Sequence, residues 1–358
     1  MSRLLLRLVM LTAFCLGGPE TALSQSSVDQ PGRVVEVEIP APALAGNLLG
    51  TRDVQTAAIY LPPSYDSTGE RRYPVIYLLH GIFDDFRVWL DIEDVPARLD
   101  RAMAREAIPE ALVVMPNGGN KYGGGFYRNS PISGRWADFI TTDLVRYIET
   151  RFRTLGENNR AVVGHSMGGY GALHLAITRP GTFSVVWAMS PCCLAAVDDF
   201  GFGNDAWKRA AGITAPEDIE QMMVDRDFFA IAALGVLSAF STTVHEPPLY
   251  AKFPFDIVRG EVVLNDAAYD RYLDSLPIRQ VREGREALRK LRGLGLGVGL
   301  NDQFRHIPPG TIAFSQRLGA ERIPHILEVY EGDHRQAVGA RLETVVLPWV
   351  GARLIEGD

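Results

Sequence analysis

A serine between two glycines is the feature of this sequence most suggestive of chemistry. Gly164-His165-Ser166-Met167-Gly168 follows an apolar run and precedes a stretch of small residues. This order predicts a strand, a tight turn and a helix, with the serine hydroxyl exposed at the turn. Glycines flank such a turn because side chains there would collide, and the helix N-terminus favours a developing oxyanion. The motif therefore predicts that Ser166 is a nucleophile.

A serine hydroxyl needs a general base, and the base needs an acid that orients it. Where the serine lies at this kind of turn, the acid and then the histidine follow it in the chain. Of the seven histidines, His334 lies in the loop after the last predicted strand, so it is the expected base, with His306 as the alternative. Asp302 follows the preceding predicted strand and is the expected acid. Asp333 adjoins the histidine and is poorly placed to accept from its far nitrogen.

The oxyanion of an acyl-transfer intermediate needs two backbone donors. One is expected from Met167, directly after the nucleophile. The other should come from the turn after the third predicted strand, where His80-Gly81 ends an apolar run. We expect the amide of Ile82 there, with Phe83 as the alternative.

Several further side chains are candidates for the wall of a substrate pocket. Aromatic residues cluster after the fourth predicted strand, and another follows the oxyanion turn. Ordinary core packing is the alternative interpretation for each aromatic residue taken singly. The predicted pocket residues are Trp89, Tyr122, Phe126, Trp136 and His165.

Eight strand candidates must position these residues, and two of them are continuous apolar runs, as in strands buried on both faces. Helix-like stretches lie between them, with Asp91 and Thr141 as polar helix starts. This alternation predicts a mostly parallel sheet with right-handed crossovers and flanking helices. The strands are predicted at 33–39, 55–61, 74–79, 111–115, 160–164, 183–189, 294–300 and 325–330, and the helices at 91–106, 136–153, 168–178, 280–292 and 310–320.

An insertion interrupts this alternation at about residues 200–280. It contains an apolar stretch from Phe228 to Phe240, which carries Gly235 and Ser238 and follows a charged segment. These features favour a helical lid over the site rather than a membrane span. The sequence thus predicts one catalytic domain, residues 33–358, with a lid insertion.

Overall composition excludes some classes of partner. The 358-residue chain is 47% hydrophobic and 22% charged, with a formal net charge of −7 and no block of like charges. A nucleic-acid-binding protein would normally show a basic stripe, so no nucleic-acid partner is expected.

The first 24 residues have the layout of a secretory signal peptide. Arg3 and Arg7 flank an apolar run that is too short to span a bilayer, and Ala22-Leu23-Ser24 provides small residues before a cleavage point. We therefore expect export to the periplasm or the medium, no stable membrane insertion, and a flexible leader at 25–32. Lipid attachment at Cys15 is the alternative.

The remaining cysteines, Cys192 and Cys193, are adjacent. Neighbouring residues seldom reach disulfide geometry without strain, so two small packed residues are expected, with a vicinal disulfide as the alternative. No cysteine spacing indicates zinc. Neither a metal nor an organic cofactor is expected.

Several segments in order resemble the esterase branch of the α/β-hydrolases, which includes S-formylglutathione hydrolase (esterase D), enterochelin and feruloyl esterases and the mycobacterial mycolyltransferases. The resemblance covers most of residues 33–353. It implies the α/β-hydrolase fold and the triad Ser166, Asp302 and His334, the same set that the residues themselves indicate. The matching segments are Tyr60-Leu-Pro-Pro-Ser-Tyr65, Tyr73-Pro-Val-Ile-Tyr-Leu-Leu-His-Gly81, Gly123-Gly-Gly-Phe-Tyr127, the turn at 164–172, and Glu328-Val-Tyr-Glu-Gly-Asp-His334.

These observations predict an exported serine hydrolase that cleaves a small-molecule carboxylic ester through an acyl-enzyme intermediate. Two alternatives remain open at this point. One is an acyltransferase that moves an acyl group to a sugar or alcohol, and the other is a catalytically silent binding protein on the same fold.

Overall fold

An eight-stranded sheet forms the centre of the molecule, in the order β1-β2-β4-β3-β7-β8-β11-β12. The computed structural model describes residues 31–201, 204–247, 249–259 and 261–355. Within these ranges β5 pairs with β6, and β9 pairs with β10, as two short antiparallel hairpins outside the main sheet. The strands are β1 (Arg33–Pro40), β2 (Val54–Leu61), β3 (Val75–Leu79), β4 (Leu112–Pro116), β5 (Asn129–Ser130), β6 (Gly134–Arg135), β7 (Arg160–His165), β8 (Val185–Met189), β9 (Phe255–Val258), β10 (Glu261–Leu264), β11 (Gly293–Gly299) and β12 (Ile326–Tyr330).

The sheet is mostly parallel, as the sequence predicts. The pairs β1–β2 and β2–β4 are antiparallel, and the other five pairs are parallel. All eight predicted strands are present in it, with ends that differ by at most two residues. The predicted α/β-hydrolase architecture is therefore confirmed.

Apolar side chains cover both faces of the central strands. Every residue of β3, β4, β7 and β8 is buried. Successive side chains of β3 point to opposite faces, so Tyr77 and Leu79 join one apolar cluster while Ile76 and Leu78 join the other. Helices lie against both clusters, which explains why these strands read as continuous apolar runs.

The helices mostly lie where the apolar periodicity predicts them, but some boundaries differ. Asp91 lies in a π-helical turn, Val88–Ile92, and α1 begins only at Val95, with a proline in its first turn. The Thr141 hydroxyl donates to the carbonyl of Ala137 at 2.7 Å, so Thr141 lies inside a helical segment. Neither Asp91 nor Thr141 therefore starts a helix. The described helices are α1 (Val95–Ala104), α2 (Trp136–Asp138), α3 (Val145–Arg151), α4 (Met167–Thr178), α5 (Asp205–Ala211), α6 (Pro216–Val224), α7 (Phe228–Phe240), α8 (Asp266–Asp274), α9 (Pro277–Gln280), α10 (Arg285–Arg289), α11 (Ile307–Ala320), α12 (Val338–Arg341) and α13 (Leu347–Ile355).

The insertion between β8 and β11 contains α5 to α8 and the hairpin of β9 and β10. Helix α7 covers the predicted apolar stretch from end to end. The hairpin was not predicted, because two four-residue strands are too short to show a period. Among the described helices, none combines the length and apolarity that a membrane crossing would require.

The structure does not describe residues 1–30. The predicted signal peptide at 1–24, which includes Cys15, therefore lies outside the described residues, as do leader residues 25–30. From Pro31 onward the chain forms one compact unit. The end of the predicted leader is anchored there, since the amide of Gly32 donates to Asp100 Oδ1 at 2.8 Å.

Candidate active site

Ser166 occupies the turn between the last residue of β7 and the first residue of α4. Its backbone has φ 56° and ψ −116°, a conformation that is strained for a residue with a side chain. A Cβ at Gly164 would lie 2.0 Å from the carbonyl oxygen of Gly168, and a Cβ at Gly168 would lie 2.1 Å from that of Leu79. The two glycines are therefore sterically required, and they let the turn present the serine above the sheet.

Asp302 and His334 meet beside this turn. Nδ1 of His334 lies 2.7 Å from Oδ2 of Asp302, and the side chains are 5% and 0% exposed respectively. The other carboxylate oxygen of Asp302 accepts from the amide of Phe304 at 2.9 Å. The structure brings the predicted acid and base together because β11 and β12 are parallel neighbours, so the loops after them lie at one edge.

His165 connects the His334 loop to the serine turn. Its Nε2 lies 2.8 Å from the carbonyl oxygen of His334, and the two imidazole rings are 4.6 Å apart between centroids. Burial lowers the pKa of His165 well below its ordinary value, and the charge of His334 lowers it further. His165 is thus a neutral Nε2–H donor that holds the loop, rather than a residue that faces substrate.

The structure records no hydrogen bond between the Ser166 hydroxyl and the His334 ring, although both residues are described. Because His165 precedes Ser166 and packs on His334, the ring nevertheless lies beside the nucleophile turn. In enzymes without bound substrate this hydrogen bond is often long and tightens only when substrate binds.

His306, the alternative base, and Asp333, which adjoins His334, have other partners. Nδ1 of His306 lies 2.6 Å from Oδ1 of Asp199. The partly exposed Asp333 accepts hydrogen bonds from the amides of Arg335 at 2.9 Å and Gln336 at 2.6 Å, which fold the loop around it. Neither residue takes part in the Asp302–His334 pair.

Two backbone amides close to the serine turn have no acceptor among the described residues. Within the described ranges, no acceptor is recorded for the amide of Ile82 or of Met167. The amide of Phe83, by contrast, donates to the carbonyl of Gly123 at 2.9 Å. A Cβ at Gly81 would lie 3.4 Å from Cβ of Ser166, so the turn after β3 closely approaches the serine. Ile82 and Met167 are therefore available as oxyanion donors, and Phe83 is not.

Ser166 opens into a small cavity of about 70 Å³ with mostly apolar walls. Of the five predicted pocket residues, Phe126 alone lines it. The residues around it are Ile82, Phe126, Ser166, Cys192, Cys193, Asp199, Phe200, Ala206, Trp207, Phe228, Phe229, Ala232, Ala233, Val236, Phe304, His306 and Ile307.

The other predicted pocket residues lie elsewhere. Trp89 packs in the apolar cluster that contains Ile76 and Leu78. Trp136 is fully buried in the other cluster, and its indole nitrogen donates to the carbonyl of Ser133 at 2.8 Å. Tyr122 borders a separate cleft beside α6, and His165 lies behind His334. Their positions after strands do not determine on which face of the sheet they pack.

Much of the pocket wall comes from the insertion, for which the sequence predicts only a helical lid. The ring of Phe228, at the start of α7, lies 4.7 Å from Phe83 and 5.7 Å from Phe304 between centroids. Phe304 in turn lies 4.7 Å from the His334 ring. The first turn of α7 is therefore in contact with the residues that support the histidine.

No metal site accompanies this pocket in the part of the chain that the structure describes, where no group of three or more histidine, cysteine or carboxylate side chains could hold an ion. The chemistry available from the described side chains is thus that of a serine, two histidine–aspartate pairs and two thiols.

Comparison with known proteins identifies relatives of this chain. The family described as "Putative esterase" matches residues 51–236, more than half of the chain. Two esterases of Mycobacterium tuberculosis are 38% identical over 136 residues, which is 35% of this chain and 26% of theirs. This chain therefore matches about a quarter of the length of those relatives.

Solved structures share the fold at low sequence identity. A ferulic acid esterase has a TM-score of 0.62 at 21% identity, covering 90% of this chain and 99% of its own. An S-formylglutathione hydrolase from Agrobacterium tumefaciens has a TM-score of 0.60 at 18% identity, covering 90% and 96% respectively.

Proposed function

Because the chain belongs to this esterase family, we propose that it hydrolyses carboxylic esters with Ser166 as its nucleophile. The observation that carries the proposal is the 2.7 Å hydrogen bond between Asp302 and His334 next to a strained serine turn. A buried carboxylate that orients an imidazole beside a serine hydroxyl at a cavity wall is the arrangement that activates a serine.

In the proposed reaction the Ser166 hydroxyl attacks the ester carbon while Nε2 of His334 takes its proton. Asp302 keeps the imidazole in the required tautomer and stabilises the positive charge that forms on it. The amides of Ile82 and Met167 receive the negative charge on the former carbonyl oxygen, and one such donor contributes roughly 10²–10³ in rate. His334 then protonates the leaving alcohol, and water releases the acid from the acyl-enzyme.

The cavity indicates the class of acyl group. Its volume is about 70 Å³, and aromatic and aliphatic side chains form most of its wall. A short apolar acyl group fits these walls, because the polar groups there are few and mostly paired with one another. We therefore propose esters of small acids as substrates.

The test uses purified protein with p-nitrophenyl acetate and p-nitrophenyl butyrate, and the matched variant Ser166→Ala. We expect turnover by the wild type and a loss of at least about 10³-fold in the variant. A fluorophosphonate should label the wild type at Ser166 and leave the variant unlabelled. Unchanged hydrolysis by Ser166→Ala would exclude the assigned nucleophile.

The same assay separates the other functions. New esters formed from added glycerol or trehalose would indicate acyl transfer instead of hydrolysis. An absence of turnover across a panel of esters, with ester binding retained, would favour a binding protein.

Export is a separate proposal, based on Arg3, Arg7 and the apolar run that follows them. We propose that residues 1–24 direct the chain out of the cytoplasm and are then removed. Mass spectrometry of protein recovered from the periplasm or medium should show an N-terminus at Gln25. Recovery of only the uncleaved chain from the cytoplasm would contradict it.

A further inference from the structure

A second group of reactive side chains lies in the wall of the cavity that contains Ser166. Cys192 and Cys193 follow β8, Asp199 lies a few residues later, and His306 immediately precedes α11. All four border the cavity. The ester reaction proposed above uses none of them, so their arrangement calls for its own explanation.

Asp199 and His306 form a fixed ion pair. Nδ1 of His306 lies 2.6 Å from Oδ1 of Asp199, and the carboxylate also accepts from the amides of Arg305 at 3.0 Å and His306 at 2.8 Å. Burial opposes both charges, but hydrogen bonds from His306 hold the pKa of Asp199 below its ordinary value. Burial alone would lower the pKa of His306, yet the hydrogen bond to Asp199 and the proximity of Cys192 raise it to about 9. These contacts therefore favour the protonated imidazole.

The second ring nitrogen of His306 is not used by Asp199, and the imidazole lines the same cavity as the thiols. Nε2 is buried and has no hydrogen-bond partner among the described residues, while the ring stacks on Phe200 at 5.1 Å between centroids. Burial raises the pKa of Cys192, but the hydrogen bond from Cys193 and the positive charge of His306 lower it to about 7. These neighbours thus favour the thiolate form of Cys192.

Cys193 supplies a protonated thiol beside that thiolate. Its sulfur lies 2.8 Å from the sulfur of Cys192, and both residues are free cysteines. Burial raises the pKa of Cys193 well above its ordinary value. Its backbone has φ 60°, in the left-handed region, where a residue with a side chain is uncommon. A more acidic thiol and a less acidic one therefore lie side by side at one wall of the cavity.

We propose that Cys192 is a second nucleophile of this cavity, which hydrogen peroxide oxidises to a sulfenic acid that Cys193 then converts into a disulfide. In the first step the Cys192 sulfur attacks one peroxide oxygen, the O–O bond breaks, and hydroxide leaves. In the second step the Cys193 sulfur attacks the sulfenic sulfur and water leaves. Two thiols lose two electrons and two protons, and one peroxide is reduced to two water molecules in total.

The disulfide between Cys192 and Cys193 would be readily reduced again. Consecutive Cα atoms are about 3.8 Å apart, shorter than the roughly 4.4–6.8 Å common in disulfides, so a bond between adjacent cysteines is strained and easily reduced. The amide of Cys192 donates to the carbonyl of Ser166 at 3.2 Å, so a change at the cysteines acts directly on the serine turn. We therefore expect ester turnover to fall on oxidation. This last consequence rests on the proposed function, whereas the thiol chemistry does not.

The experiment uses the full chain with Cys15→Ser, which leaves only the two cavity thiols of the three cysteines. Hydrogen peroxide is added, and the peptide that contains both cysteines is analysed by mass spectrometry. We expect the loss of two hydrogen atoms, reversed by dithiothreitol. With Cys193→Ser, dimedone should trap a sulfenic acid at Cys192, and Cys192→Ser should react at least about tenfold more slowly. An unmodified peptide in the folded protein, or equal rates for the two serine variants, would overturn the proposal.

His306 is tested as a positioning residue through the pH dependence of the reaction. We expect His306→Gln to slow oxidation about tenfold at pH 7 and to move the rising limb of its pH–rate profile upward, because the thiolate loses its adjacent positive charge. His325→Gln is the matched control, since His325 bonds Ser315 at 2.8 Å outside the cavity. An unchanged profile in His306→Gln would remove His306 from the site.

Ester turnover provides a second readout. It should fall in step with disulfide formation, return with dithiothreitol, and be insensitive to peroxide in Cys192→Ala. Full oxidation with unchanged turnover would overturn the coupling to the serine turn, while the peptide masses would still report the thiol chemistry independently.

Discussion

Asp302 and His334 are 32 positions apart in the chain, yet a 2.7 Å hydrogen bond joins their side chains. The loops that carry them are bonded along the backbone, since the amide of Asn301 donates to the carbonyl of Gly332 at 2.9 Å. A Cβ at Gly299 would lie 2.4 Å from that same carbonyl oxygen, so the two loops pack without space for a side chain. The pair is therefore held by the adjacent ends of β11 and β12 and not by the loops alone.

This geometry predicts that Asp302→Asn lowers kcat by about 10³–10⁴ while the fold is retained. The amide cannot hold the imidazole in the tautomer that accepts the serine proton, and it provides no charge to stabilise the imidazolium. Steady-state kinetics with p-nitrophenyl acetate and circular dichroism measure the two effects.

The control for this variant is Asp333→Asn. Asp333 adjoins His334 but accepts only backbone amides in the loop, and asparagine can still accept them. Its activity should stay within a few-fold of the wild type. Near-normal activity in Asp302→Asn, or an equal loss in both variants, would show that the acid lies elsewhere.

The serine turn predicts a contrast between two glycine substitutions. Gly164→Ala would bring a methyl group to 2.0 Å from backbone atoms, so we expect the free energy of unfolding to fall by about 4 kcal/mol or more. Gly319→Ala, near the end of α11, meets no atom within 4 Å and should be neutral or stabilising by up to about 1 kcal/mol. Urea unfolding measures both changes. Similar stabilities for the two variants would mean that the turn can relax.

The sheet could be predicted from sequence because its strands read as apolar runs, and the serine and its partners could be placed because each follows such a strand. The residues of the pocket wall could not be predicted from sequence. Helix α7 is buried around most of its circumference, so no apolar stripe shows which side faces Ser166. Trp89 and Trp136 show the same difficulty, because an aromatic residue after a strand can pack on either face of the sheet.

The Asp199–His306 pair carries no local sequence signal at all. The two residues are 107 positions apart, and neither belongs to a motif. Tertiary packing of the insertion against α11 creates the pair. The fold also brings the pair and the adjacent cysteines to the wall of one cavity, which the sequence does not indicate.

That pair predicts a pH-dependent contribution to stability. The pKa of His306 is raised to about 9 from 6.5, so its stabilisation is fully present below pH 6.5 and is lost as the pH rises through 9. The pKa of Asp199 is lowered from 3.8, so its contribution is present above pH 3.8 and is lost in more acidic solution. We expect Asp199→Asn to lower the free energy of unfolding by ~1 kcal/mol or more at pH 5.5, since Asp199 is one of the groups that raise the pKa of His306 and one pKa unit corresponds to ~1.4 kcal/mol.

Urea unfolding at pH 5.5 and pH 9.5 tests this expectation. The free energies of unfolding of the variant and the wild type should differ much less at pH 9.5 than at pH 5.5. Asp205→Asn is the control, because Asp205 forms an exposed ion pair with Lys208 and should change stability by well under 1 kcal/mol at either pH. A difference that stays constant between the two pH values would indicate that His306 is not charged in the folded protein.

The last prediction concerns the acyl preference set by α7. Ala232 lines the cavity and is only partly buried, so a phenylalanine there can fill cavity space without displacing the core. Ala232→Phe should lower kcat/KM for p-nitrophenyl butyrate about tenfold more than for the acetate, because one or two methylene groups in an apolar pocket are worth ~1–3 kcal/mol. Ala267→Phe is the matched control, since Ala267 is exposed on α8 and is not among the residues that line the cavity. Equal effects of Ala232→Phe on both esters would mean that the acyl chain does not occupy this cavity and lies instead along another surface near Ser166.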